Sequence, residues 1–253
     1  MRLFCFLLIS LLLVSFVGCF GGEDIKTIPT FTEAKKIAVT PFFADKEEAK
    51  ALGSRISVNL STRFELILKD IEWVYDVSDK IRPVGEKIDE LGITLNDVFD
   101  DPALAARVGE SLGVDWIITG KVTKPRLERK DNDQHHQRLG RQTGISGTST
   151  YITTRQVARS KVRVKIIDVK TGSMIYNNEI HSNLKYWFAY QTQMSNMIIF
   201  KQPEEMFADL GKHLPRRISY MLYPSGFNEE PQDKILLKPP FEIKGTGGII
   251  KYD

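Results

Sequence analysis

The chain has 253 residues, of which 42% are hydrophobic, and its formal net charge is +3. This length and composition predict one large folded domain with extensions. Both cysteines, Cys5 and Cys19, lie near the start, so the rest of the chain has no thiol for cysteine catalysis, a thiolate metal site or a disulfide.

The start of the chain has the layout of an export signal. Arg2 supplies one positive charge, Leu3 to Val17 is almost unbroken apolar sequence, and glycine and Cys19 follow. A charged head, an apolar core and small residues at the cut define such a segment. Its end resembles the lipobox of bacterial lipoproteins, although Phe16 replaces the usual leucine. The resemblance implies that residues 1–18 are removed and that Cys19 carries the lipid.

A lipid on Cys19 would anchor the protein in a membrane, because each buried methylene contributes about 0.8 kcal/mol. Phe20 rather than Asp follows the cysteine, which in enterobacterial-type sorting implies an outer-membrane protein facing the periplasm. The alternative is an uncleaved membrane helix, but about 15 apolar residues fall short of the roughly 20 that span a bilayer. Residues 19–32 are then the lipidated cysteine and a polar tether of roughly 20 Å.

Charge is distributed unevenly along the chain. Residues 20–120 have a net charge of −7, whereas residues 121–170 have a net charge of +9. Outside the cytoplasm, a basic segment favours anionic lipid, polysaccharide or an acidic protein as partner rather than nucleic acid. A solvated loop without a partner explains the same charges equally well. The expected basic patch consists of Arg126, Arg129, Lys130, Arg138 and Arg141.

A single folded domain is expected over residues 33–223, and it begins with a strand, a helix and a second strand. A short apolar run within residues 36–43 predicts the first strand. Apolar residues at steps of three and four from Ala49 to Ile67 predict a helix of about 20 residues. Residues 71–77 predict a second, short strand.

The next part of the domain is expected to contain two helices and the clearest strand. Residues 78–100 are irregular, but apolar positions there favour a helix ending at Gly92. Asp101 and Pro102 predict a helix start, with an acceptor at the cap and proline in the first position. The strand after this helix centres on Trp116-Ile117-Ile118, and we expect all three side chains to pack against the helix.

The basic segment is expected to be a loop followed by a strand. Residues 124–147 are polar and charged, which predicts a long mobile basic loop. Residues 148–169 return to strand, and Lys161, Arg163 and Lys165 alternate there with apolar residues. One face of this strand is therefore predicted to be buried and the other wet and basic.

The remainder predicts a hairpin, a last helix and a tail. Lys170-Thr171-Gly172 predicts a turn, and residues 173–182 the return strand. Pro203 opens the last helix, which Pro215 must kink or split. Residues 224–253 are expected to be an extended tail. Together the elements predict an α/β fold with a single mixed β-sheet and helices packed on it, in the order β-α-β-α-α-β-β-β-α.

Three pieces of sequence carry a family resemblance: Lys36–Val39, Leu112–Val122 and Val164–Gly172. In this order, and with the lipobox, they resemble the curli-secretion (CsgG-type) lipoproteins and their relatives. Those relatives include the TolB amino-terminal domain and lipoprotein activators of penicillin-binding proteins. The resemblance implies a non-enzymatic protein without a cofactor, which assembles, recruits or conducts through protein partners and can be a homo-oligomer. One departure is Ala44-Asp45-Lys46, which lacks the Gly-containing acidic stretch typical of the curli channel.

The function expected is that of a lipid-anchored accessory protein for envelope assembly or secretion, and the main alternative is an oligomeric pore subunit. In the curli channel two hairpins of each subunit cross the outer membrane. These hairpins extend from the regions that match residues 124–158 and 183–202 of this chain. The first region would place charges in lipid, at about 2–4 kcal/mol each, and would leave residues 143–154 as an arm without a partner. We therefore expect an aromatic segment that packs on itself or on a partner or membrane. Its candidate contact residues are Tyr186, Trp187, Phe188, Tyr190, Ile198 and Phe200.

Motifs for an enzyme or a metal site are weak, so a periplasmic enzyme is the minor alternative. His135-His136 has no third ligand at a useful spacing. The turn Lys170-Thr171-Gly172 and residues 182–185 match two elements of penicillin-binding enzymes, but in reversed order and with Ser182 expected at the end of a strand. The glycine-rich segment 245–248 lacks the flanking strand and helix of a phosphate loop. We expect no catalytic residue, cofactor or metal.

Overall fold

The computed structural model describes residues 29–138, 148–191, 199–227, 231 and 234–236. The predicted signal, Cys19 and most of the predicted tail lie outside the described residues. The strands are β1 (Lys36–Val39), β2 (Phe43–Ala44), β3 (Glu72–Tyr75), β4 (Trp116–Val122), β5 (Arg126–Arg138), β6 (Thr148–Asp168), β7 (Met174–Gln191) and β8 (Lys234–Leu236). The α-helices are α1 (Glu47–Ile67), α2 (Pro83–Glu90), α3 (Leu95–Asp100), α4 (Pro102–Leu112) and α5 (Pro203–Leu222).

The strands form one mixed sheet in the order β3-β1-β4-β6-β7-β8, which confirms the predicted fold class. Strands β1, β3 and β4 are parallel, and β6 pairs antiparallel with β4 and β7. The long β6 continues past the end of β4, and there β5 pairs with it in place of β4. The sheet therefore has a packed half around β1 and β4 and an extension formed by β5, β6 and β7.

Helices cover the packed half of the sheet on both faces. On one face, α1 and α5 pack over a large core that includes Ile37, Ile118 and Tyr176. On the other face, α2, α3 and α4 pack over a smaller core that includes Ala38 and Ile117. Because alternate residues of a strand point to opposite faces, only the middle residue of Trp116-Ile117-Ile118 faces α4. The expectation that all three pack on this helix was wrong for Trp116 and Ile118.

Local sequence explains where the central elements begin. The Asp101 side chain accepts a hydrogen bond from the Ala103 amide, which caps α4 as predicted. Gly113 then ends α4 with a φ of 63°, a conformation that favours glycine. The Asp115 carboxylate accepts hydrogen bonds from the amides of Lys35 and Lys36, at 2.8 and 3.0 Å. These bonds join the starts of β1 and β4.

Two local expectations need correction in the second half of the chain. The loop predicted over 124–147 is wrong for Arg126–Arg138, which form β5 and pair with β6. The described part of the arm expected to lack a partner, residues 148–154, pairs with both β5 and β7. Residues 139–147 lie outside the described residues.

The last helix and the return strand also differ from expectation. Helix α5 continues through Pro215, so the proline does not split it. The return strand does not end at Ser182 but runs on to Gln191. Within the predicted tail, β8 pairs in parallel with Lys185–Trp187 of β7. No helix in the described parts of the chain combines the length and apolar character needed to cross a membrane.

Candidate interaction surface

One face of the long strand β6 carries a row of cations. Arg155, Arg159, Lys161, Arg163 and Lys165 occupy alternate positions, whereas Ala158, Val162, Val164 and Ile166 between them belong to the large core. Since alternate residues share a face, these cations all point away from that core. The predicted basic face of this strand is thus confirmed, and it is exposed at Arg159 and Lys161, whereas Val157 on the same face is buried.

Neighbouring strands add cations to the same face. Residues directly opposite one another in adjacent strands point to the same side of a sheet. The register places Lys121 opposite Arg163, Arg126 opposite Arg159, Lys130 opposite Arg155 and Lys185 opposite Val157. We call the combined surface the basic face. It comprises Lys121, Arg126, Lys130, Arg155, Arg159, Lys161, Arg163 and Lys185.

Lys165 marks the border between the basic face and the helix layer. Its Nζ donates a hydrogen bond to the Phe99 carbonyl oxygen at 2.7 Å and lies 4.2 Å from the centre of the Phe99 ring. Burial lowers the pKa of Lys165, although Asp100 acts in the opposite direction. Beyond this border Lys161 and Arg159 are exposed.

Acidic residues neutralise only part of the basic face. Glu128 lies 3.2 Å from Arg159, and Glu179 lies 3.0 Å from Lys161. The hydrogen bond from Lys161 lowers the pKa of Glu179, against the effect of burial. At the border with β2, Lys121 pairs with Asp45 at 3.2 Å. Cations therefore remain in excess, and the face has a positive potential.

An exposed aromatic residue lies at the far end of the basic face. Trp187 is opposite Arg155 in the register, and the Arg155 guanidinium lies 5.6 Å from the indole centre. The Trp187 side chain is 37% exposed, whereas Trp73 and Trp116 are buried in the core. Trp187 is thus the one tryptophan placed to report on contacts of this surface.

Two other aromatic residues, Phe188 and Phe200, pack on the opposite face of the extension. The rings of Phe188 and Phe200 meet edge to face, with 5.0 Å between centroids. Arg129 also points to this side, and its guanidinium lies 3.9 Å from the Phe200 ring centre. Phe188 and Phe200 therefore pack on each other within the extension, and Ile199 beside them is exposed.

Tyr186 belongs to a buried polar cluster and not to a contact surface, so its prediction as a contact residue was wrong. Its hydroxyl donates to the Asp209 carboxylate at 2.9 Å, and Lys201 Nζ donates to the same oxygen at 2.6 Å. Burial, together with the Asp209 carboxylate, raises the pKa of Tyr186. Gln156 exchanges two hydrogen bonds with the backbone of Lys201, at 2.9 and 3.0 Å. The cluster joins α5, β6, β7 and the segment before α5.

The predicted basic patch is only partly one surface. Arg126 and Lys130 lie on the basic face, but Arg129 lies on the other side with Phe200. The backbone of Arg138 ends β5, and Arg141 lies outside the described residues. Cys19 and Ile198 also lie outside them, and Tyr190 lies in β7.

Sequence reasoning missed Arg155, Arg159 and Lys185 of the basic face. The alternation of Lys161, Arg163 and Lys165 continues towards the start of the strand through Arg159, and this pattern was the signal available for Arg155 and Arg159. Lys185 required the pairing of β6 with β7.

Two of the weak enzyme and metal motifs, Ser182 and His135-His136, lie in strands of the described residues. No group of three or more His, Cys, Asp or Glu side chains within them is placed to hold a metal ion. Ser182 lies inside β7, where its hydroxyl is 2.9 Å from Nδ1 of His213, and both residues are buried. This pair joins a strand to α5 in the core. His135 and His136 lie in β5.

Comparisons with known proteins find similarity of structure only. No family model matches the chain, and no curated protein matches its sequence. Similar solved structures include lipoprotein GNA1162 from Neisseria meningitidis, with 12% identity over 73% of this chain and 97% of that one, and a TM-score of 0.34. The PelC dodecamer from Paraburkholderia phytofirmans has 9% identity over 74% and 86%, and a TM-score of 0.32. The LpoB C-terminal domain from Escherichia coli has 9% identity over 62% and 94%, and a TM-score of 0.30. At these identities and TM-scores, the comparisons assign neither a family nor a function to this chain.

Proposed function

We propose that this protein is a lipid-anchored, non-enzymatic accessory protein of the bacterial envelope, which acts in assembly or secretion through contacts made by its sheet extension. The observation that supports this most is the basic face, whose exposed cations lie beyond the helix layer. Such a surface suits binding, because its charged groups are distributed over several strands and do not converge on one point.

The anchor in this proposal is Cys19, acylated after removal of residues 1–18. The argument is the lipobox resemblance, together with the short apolar run before the cysteine. The outer-membrane position facing the periplasm is proposed on Phe20, which follows Cys19 in place of Asp. A CsgG-type role is proposed on the three sequence pieces that carry the resemblance.

Metabolic labelling with palmitate tests the anchor directly. We expect wild type to incorporate the label and to fractionate with membranes, because Cys19 is the acceptor. The Cys19→Ala variant should lose the label, whereas Cys5→Ala, the matched control in the segment removed, should retain it. Equal labelling of wild type and Cys19→Ala would exclude this mode of anchoring.

A second candidate function is a pore subunit, and the pairing of β5 with β6 favours it. Within the two regions that match the membrane-crossing hairpins of the curli channel, residues 126–138, 148–158 and 183–191 are paired strands, whereas the described residues 199–202 are not in a strand. Against this candidate, β5 carries Arg126 and Lys130 on one face and Arg129 on the other. A basic residue facing lipid at mid-bilayer costs about 2–4 kcal/mol. We therefore place the pore second.

Conductance across planar bilayers separates the two candidates. Purified, lipidated protein is expected to give no stable channels, and its native particle in mild detergent is expected to be small. Stable channels in wild type that disappear in an Ile198→Asp variant, together with a large ring-sized particle, would make the pore the leading function.

A further inference from the structure

We propose that the basic face binds an anionic lipid surface. The sheet extension of the anchored domain then lies against the membrane. This inference depends on the proposed membrane anchor and adds what the exposed face contacts. The alternative occupants of the face, an acidic protein or a second copy of this chain, are outcomes of the test below.

The shape of the charge distribution favours a surface over a single small anion. From Arg155 to Arg163 the row on β6 extends about 26 Å, at about 3.3 Å per residue. Flanking strands about 4.8 Å away on each side add Arg126, Lys130 and Lys185. The result is a two-dimensional array of cations, and lipid headgroups also form a two-dimensional array of charge.

The groups at the edge of the array also suit a membrane interface. Trp187 is partly exposed beside Arg155, and tryptophan side chains prefer the headgroup region, where an apolar ring and a polar N–H are both accommodated. Lysine and arginine add about 1 kcal/mol each near an anionic leaflet. An acidic protein would satisfy the same charges, and the tests below distinguish it from lipid.

The length of chain before the described domain permits this arrangement. The described residues begin at Pro29, and Phe31 packs beside Trp116, at the opposite end of the sheet from Trp187. Nine residues lie between Cys19 and Pro29, so the chain makes ten residue steps. A chain of that length spans at most about 35 Å, which exceeds the length of the cation row on β6.

Fluorescence quenching of Trp187 tests the inference on the full, lipidated protein in vesicles. The vesicles contain a lipid with a quencher at headgroup level, in either phosphatidylglycerol or phosphatidylcholine. We expect quenching in phosphatidylglycerol at low salt, its loss at about 0.5 M salt because of screening, and little quenching in phosphatidylcholine. The Trp187→Phe variant should remove the signal, since the other two tryptophans are buried.

A matched pair of charge variants locates the contact. The first is Arg126→Gln/Lys130→Gln/Lys185→Gln; none of the described ion pairs involves these residues. At about 1 kcal/mol per residue, it should lower the docking equilibrium about 100-fold. The control is Lys69→Gln/Lys80→Gln/Lys212→Gln, which removes the same charge from exposed positions elsewhere. It should quench like wild type.

Several results would overturn the inference. Equal quenching in the two lipids, equal effects of the two triple variants, or quenching that persists in Trp187→Phe would show that this face does not dock on anionic lipid. Unquenched Trp187 combined with salt-sensitive self-association in detergent, abolished by the first triple variant, would assign the face to a second copy. If the protein stays with the vesicles but Trp187 is not quenched, only this inference is contradicted. If the protein does not stay with the vesicles, the proposed lipid anchor is contradicted as well.

Discussion

The hydroxyl of Tyr186 is expected to stabilise the fold by holding the sheet extension to α5. The substitution Tyr186→Phe removes this hydroxyl and retains the buried ring. Its partner Asp209 keeps the ion pair with Lys201, whose Nζ lies 2.6 Å from the carboxylate oxygen. The variant therefore isolates one hydrogen bond of 2.9 Å between a buried phenol and a charged acceptor.

The expected loss follows from the charge on the acceptor. Hydrogen bonds to charged groups contribute about 1.5–3 kcal/mol, more than neutral ones. We expect Tyr186→Phe to lower the free energy of unfolding by about 2 kcal/mol. With a urea dependence of about 2 kcal/mol per molar, the midpoint should fall by about 1 M.

Urea unfolding with a matched control measures this effect. Tyr220→Phe removes a hydroxyl from a partly exposed tyrosine in the same helix as Asp209 and should change stability by less than about 0.5 kcal/mol. Because the Tyr186 and Lys201 side chains bond to the same oxygen, Tyr186→Phe and Lys201→Met should be non-additive by about 0.5–3 kcal/mol. Equal midpoints for the two tyrosine variants, or strict additivity, would refute the reasoning.

Three further predictions concern the core and the turn before β7. Ile118→Ala empties a fully buried position of β4 and should cost roughly 2–5 kcal/mol in urea unfolding; a loss below about 0.5 kcal/mol would place that strand at the surface. Gly120→Ala would bring a Cβ to 2.5 Å from the Phe42 ring, and should cost about 1–3 kcal/mol, with partial rescue by Phe42→Leu; no rescue would refute the contact. Burial acts to raise the pKa of Asp168, but hydrogen bonds from Thr171 outweigh this effect and lower the pKa. Asp168 therefore stabilises the fold at pH values above its ordinary pKa, and this stabilisation is lost as the pH falls through the lowered pKa. The stability difference between wild type and Asp168→Asn should therefore shrink on acidification below pH 3.8, and a difference independent of pH would contradict this.

Much of the packed half of the fold was accessible from the sequence because its signals are local. Helical spacing from Ala49 to Ile67 and the Asp101-Pro102 start depend on neighbours within a few turns, and both helices are present. Local sequence does not indicate to which side of the sheet a strand residue points. That prediction requires the positions of both helix layers. This is why Trp116-Ile117-Ile118 was assigned to one layer although it serves two.

The extension was predicted less well because long-range pairing creates it. Arg126–Arg138 is charged and has little apolar pattern, and its strand conformation comes from pairing with β6. A charged strand of this kind also suits a position at the edge of a sheet, where charge opposes aggregation. Tyr186 was assigned to a contact surface because its partner Asp209 is 23 residues away in sequence. Neither pairing leaves a local signal.

The central claim is that the basic face is covered when the protein is in its membrane, and thiol accessibility tests it most directly. Under the proposed processing, Cys5 is removed and Cys19 is acylated, so a single introduced cysteine can be labelled selectively with a maleimide. We predict that Lys161→Cys and Lys185→Cys react more slowly in isolated membranes than in detergent-purified protein. The exposed control positions in Lys69→Cys and Lys212→Cys should react at equal rates in both. Equal rates in membranes and detergent at all four positions would contradict the account.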